Sequence, residues 1–140
     1  MIQQTRETPS IEKLIAGGVI SSATSSIIFI FFMSFRTYVS DPSTLISYIL
    51  LFVGIFFAGF FSGMFIQEIP RILPLHGGLV TGIFLAIFSL AINFNVVLVN
   101  GTVDFIAFML ISAAAILSAL TGAFTHSRYL LQRAIKDTIS

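Results

Sequence analysis

The chain has 140 residues, 56% hydrophobic and only 9% charged, with a net charge of +1 and a mean hydropathy of +1.03. Soluble domains carry roughly a quarter charged residues, so this composition excludes a free-standing water-soluble domain. The near-neutral balance offers nothing to a nucleic-acid backbone, and the absence of cysteine excludes disulfides, thiolate metal sites and thiol switches.

Four stretches hold no charged residue: 14–35, 42–67, 72–103 and 105–127. Each exceeds the roughly 20 residues that cross a hydrocarbon core about 30 Å thick. The pattern predicts an all-α, four-transmembrane-helix bundle in one domain, 1–140. Its spans fall at about 11–36, 43–67, 75–96 and 103–125, and 126–140 forms an amphipathic helical tail.

Residues 1–7 are polar, and Thr8-Pro9-Ser10 reads as a helix start, with proline in the first turn where a missing N–H costs nothing. The first span is too long for a signal peptide and lacks a small-x-small cleavage site, so it reads as a true helix. Its "SSATSS" places five hydroxyls in six residues, 21–26. At about 100° per residue they cover roughly 200° of the helix, which predicts contact on two sides, with its own bundle and with another subunit. A polar path for a small solute is the alternative.

Asp41-Pro42-Ser43 repeats the helix-start grammar before the second span, and "QEIPRILP" ends that span, since neither proline continues a helix. In that loop Glu68 and Arg71, three apart, read as an exposed ion pair. The third span opens with "LHGGLVTGIF" and leads into "NVVLVNGTVD", a loop by its Asn and Gly content. Asn100-Gly101-Thr102 matches the N-glycosylation triplet, and Asp104 is placed to favour the N-terminus of the last span. The tail, "RYLLQRAIKDTIS", gathers Leu130, Leu131, Ala134, Ile135 and Ile139 on one side. It reads as a continuation of the fourth span, as a helix along an anionic headgroup surface, or as a docking element for a soluble partner.

Arg6, Lys13, Arg71, Arg128, Arg133 and Lys136 fall on the side of the termini and the central loop, against Arg36 alone on the other. That bias predicts a multi-pass integral membrane protein with both termini cytoplasmic. "AGGVIS" (16–21) recurs as "HGGLVT" (76–81), and "SGMF" (62–65) as "TGAF" (121–124). The near-equal offsets point to a duplicated two-helix hairpin, its halves related by an axis along the membrane normal.

Small residues recur at four-residue spacing in every span: Gly18, Ser22 and Ser26; Gly54, Ala58 and Ser62; Gly78, Gly82 and Ala86; Ala114, Ser118 and Gly122. Lipid tails are as apolar as leucine, so pairing in a bilayer relies on close van der Waals contact, which small side chains permit. These twelve are the expected helix-packing residues. A phosphate cradle at Gly77-Gly78 is disfavoured because no Lys or Arg follows in the stretch.

Away from their ends the spans hold no Asp, Glu, Lys or Arg, where ion-coupled transporters usually keep one. His76 opens the third span and His126 closes the fourth, so a hairpin would bring both to one interface. Two imidazoles could hold a metal or haem iron, but such sites usually take three or four protein ligands. The reading is of no catalytic residue, no cofactor and no metal.

"GFFSGMF" closing one hairpin and "HGGLVTG" opening the next resembles small uncharacterised four-helix membrane proteins of bacteria and archaea, over roughly 11–124. The resemblance implies a fold and no activity. The expected function is a non-catalytic accessory, stabilising or assembly subunit of a membrane complex, or a small homo-oligomer, whose partners are membrane lipid and other integral subunits or itself. The alternative is a small channel or carrier with a hydroxyl-lined path on the first span.

Overall fold

The computed structural model describes residues 11–39, 45–69 and 72–139. Four long helices dominate: α1 (Ile11–Val39), α2 (Leu45–Ile66), α3 (Pro74–Ile92) and, after a short α4 (Phe94–Val97) and a two-strand hairpin β1 (Leu98–Val99) and β2 (Thr102–Val103), α5 (Phe105–Ile139). All four are long and apolar enough to cross a membrane. The expected starts at Thr8-Pro9-Ser10 and Asp41-Pro42-Ser43 lie outside the described residues, as does Arg71.

Local chemistry sets the boundaries. Pro74 occupies the first turn of α3 behind an extended Leu73, where proline forfeits no hydrogen bond. The third span was expected to reach residue 96, but α3 ends at Ile92. There the buried Asn93 turns its amide back onto the Ser89 carbonyl at 2.9 Å and its backbone N–H onto the same oxygen. An amide that satisfies the last turn in this way competes with further helix. Asn100 and Gly101, at φ 53° and 77°, supply the left-handed pair that a two-residue hairpin turn requires. Asp104 caps α5 as expected: its Oδ1 accepts from the N–H groups of Ile106 (3.1 Å) and Ala107 (3.3 Å). α5 then runs unbroken through Ser127 and Arg128, so the tail continues the fourth span.

Around the bundle the order is α1, α2, α5, α3, with α2 and α3 also meeting across the short diagonal. A two-fold axis along the membrane normal would exchange the halves and require α1 to meet α5 as α3 meets α2. Instead α3 packs on α2 while α1 and α5 scarcely touch. The two hairpins therefore lie side by side, α1 against α3 and α2 against α5, each pair running in the same direction.

Phe29, Leu51, Ile55, Leu85, Val97 and Ile111 fill the half of the bundle beneath the β1–β2 hairpin. The other half, towards the α2–α3 connection, is packed by small residues. Isoleucine, leucine and phenylalanine such as Phe31, Phe57, Ile83 and Leu117 cover the outside, the surface a lipid-facing bundle should present.

Candidate functional site

The closest helix contact is between α2 and α5. A methyl group on Gly63 would strike the Ala119 carbonyl oxygen, and one on Gly122 would strike the Phe60 carbonyl oxygen. Shifted by 59 positions, each contact becomes the other. Gly59 stands against the Ser118 hydroxyl in the same seam. Backbone there meets backbone, which only glycine allows.

The other rows form looser seams. Gly78 and Gly82 face α5, where an added methyl would lie 2.9 Å from the Leu120 Cα and 2.7 Å from the Ile116 Cα. Gly18 meets Val80 and Phe84 of α3, and Gly54 meets Phe32 and Phe29 of α1, all through side chains. Ser22, Ser26, Ala58, Ser62, Ala86 and Ser118 are buried, and Ala114 is half-buried. Each row thus turns into its own chain.

The hydroxyls of α1 do not divide between this bundle and another subunit, as their spread suggested. Ser21, Ser22, Ser25 and Ser26 are all buried within the chain, and Thr24 alone of the five faces outward. The two sides are supplied by α2 and α3, both of which α1 contacts. Ser22 and Ser26 donate to the Val19 and Ser22 carbonyls at 3.0 and 2.7 Å, the self-satisfaction a hydroxyl uses in an apolar medium.

Four buried hydroxyls behave differently. Ser25, Ser62, Thr81 and Ser89, each at most 1% exposed, have no hydrogen-bond partner. Helix register gives the depth of three of them. Gly18 lies beside residues 80 and 84 of α3 and Gly17 beside Ile66 and Ile69, so one to two turns further on Ser22 comes level with Ser62, and Ser25 with Ser89. Buried hydroxyls nearly always find partners, so four orphans are an unusual feature of this interior.

Near the α2–α3 connection Glu68, just past α2, meets His126 of α5, with Oε1 and Nε2 2.7 Å apart. The imidazole N–H donates to the carboxylate, and the ring also stacks on Tyr129 at 6.0 Å. Glu68 thus has in His126 a partner that its spacing to Arg71 did not suggest, and the expected Glu68–Arg71 pair involves a residue outside the described ones. His126 is buried while His76 is exposed. Among the described residues no three His, Cys, Asp or Glu side chains gather as a metal site would require. Gln67, next to Glu68, buries an unpartnered amide nitrogen against the Gly77 backbone. Sequence reasoning missed the Glu68–His126 pair because 58 positions separate its members and only the packing of α2 on α5 brings them together.

Comparison with protein-family models, with curated proteins and with solved structures returns no match, so the chemistry is read from the geometry alone.

Proposed function

We propose that this chain is a non-catalytic accessory or assembly subunit of a larger membrane complex, or the repeating unit of a small homo-oligomer. Its basic end, with the α2–α3 connection and α5 tail, would face the cytoplasm. One observation carries the reading. The small residues of all four helices turn inward and close the bundle on itself, with backbone against backbone at Gly63 and Gly122 and the Ser118 side chain on Gly59. Such a body is a rigid, filled unit whose outward business is surface contact.

That geometry moves the expected partner surface. Gly18 and Ser22 are internal, so enlarging them would damage the fold before it released any subunit. Outward positions such as Phe31, Phe57 and Leu117 are the ones to probe. Photo-crosslinkers placed there, with mild-detergent extraction and mass spectrometry, should recover a defined larger assembly. A lone four-helix particle without crosslinks at any of these positions would end the proposal.

A second reading is favoured by the orphan hydroxyls: passage of a small neutral polar solute along Ser25, Ser62, Thr81 and Ser89. The charge-free spans suit a neutral solute better than an ion. Liposome flux that falls in Ser25→Ala and Thr81→Val would support it, and liposomes as tight as protein-free controls would dismiss it.

A further inference from the structure

The tail of α5 continues the outward face of the span in phase. Leu110, Leu117 and Phe124 recur every seven residues on the exposed side, and Leu131 takes the next place in the series, followed by Ile135 and Ile139, all exposed. Seven residues return a helix to within about 20° of its starting direction. The buried side of α5 ends at His126, so beyond it the outward stripe has no protein cover among the described residues.

Length brings this stripe to the membrane boundary. At 1.5 Å per residue the 35 residues of α5 measure about 52 Å, against about 30 Å of hydrocarbon and about 40–45 Å with headgroups. With Asp104 capping one end, the region after His126 falls at the headgroup layer. Arg128 and Lys136 follow one edge of the stripe, and Lys136 lines a shallow groove with Gln132, Ile135 and Ile139. A lysine stem against isoleucine, with its ammonium free to reach outward, is the arrangement of a residue at a lipid interface. Arg133 and Asp137 lie on the opposite side of the helix by the same register.

We propose that the outward face of the α5 tail is a contact surface for anionic lipid headgroups, with Leu131, Ile135 and Ile139 in the interface and Arg128 and Lys136 on lipid phosphates. Two observations select lipid as the occupant. The stripe is continuous and in phase with the lipid-facing side of the span, and its flanking charge is cationic. A second copy of the chain laid on the same stripe would find no carboxylate on its far edge, where Leu130, Ala134 and Thr138 fall.

The chain lacks cysteine, so a single thiol at Ile135→Cys reports this surface, and the exposed position leaves the bundle packing untouched. The full-length protein is placed in nanodiscs of phosphatidylcholine alone or with phosphatidylglycerol, and labelling by a charged maleimide is timed. Labelling should slow about fivefold to thirtyfold in the anionic discs, since each interfacial cation contributes about fivefold. Arg128→Gln with Lys136→Gln should restore the neutral-lipid rate, as should high salt. Equal rates in the two lipids with the cations intact would overturn the proposal. Protection in both lipids accompanied by disulfide-linked dimers would overturn it in favour of a second copy.

Discussion

Glu68 Oε1 and His126 Nε2 stand 2.7 Å apart, tying the end of α2 to α5 at the point where α5 leaves the bundle. The imidazole is 10% exposed and the carboxylate 65%. The histidine is thus the structural partner, and the glutamate an acceptor open to solvent.

Replacing His126 with alanine removes a buried ring, its stacking on Tyr129 and the bond to Glu68. We expect a loss of about 2 kcal/mol, the order of a buried-ring truncation with one hydrogen bond. Glu68→Gln keeps an acceptor and should cost about 0.5 kcal/mol or less, as exposed polar partners do. Thermal unfolding in detergent separates the two, and an equal loss would mean that the carboxylate matters more than its exposure implies.

Glycines should rank by what stands over them. At Gly63 and Gly122 the obstacle is a carbonyl of the neighbouring helix backbone, whereas at Gly17 it is the terminal methyl of Ile69. Gly63→Ala and Gly122→Ala must push α2 and α5 apart, at about 1–3 kcal/mol or more. Gly17→Ala needs only a rotamer change and should be close to neutral. Unfolding midpoints that place Gly17→Ala with the other two would contradict the seam.

The orphan hydroxyls predict an unusual sign. Ser25→Ala and Thr81→Val delete buried groups with no partner, so stability should hold or rise, by up to about 1 kcal/mol. Ser118→Ala should be a little destabilising, because its hydroxyl bonds the Ala114 carbonyl at 2.6 Å and lies on Gly59. A clear loss of stability in Ser25→Ala would reveal a partner for this hydroxyl in the membrane.

Gly101 has φ 77° and no atom within 4 Å of where a side chain would start. Gly101→Ala therefore meets strain without a clash and should cost about 1 kcal/mol, felt in the turn alone. Hydrogen exchange ought to rise at 98–103 and stay unchanged in α2.

The spans were legible because charge stops where hydrocarbon begins. The second was expected at 43–67 and α2 occupies Leu45–Ile66. The short α4 and its hairpin were hidden because "NVVLVNGTVD" carries turn residues without the length that periodicity needs. Small-residue rows identified faces, but not which helix each face would meet. Gly18 turns to α3, Gly54 to α1, and Gly59 and Gly63 to α5. That assignment depends on how four helices order themselves around a centre, which no single helix encodes. The hydroxyls of α1 show the consequence: a wide polar arc fits two neighbours from any source, and both proved to be in the chain itself.

α2 and α5 make the tightest seam although α3 and the β1–β2 hairpin separate them in the chain. While the nascent chain ends before residue 105, Gly59 and Gly63 expose bare backbone to acyl chains, a vacant slot in an otherwise threaded protein. Arrival of α5 closes it, so the glycine face of α2 stays uncovered until the fourth span has inserted.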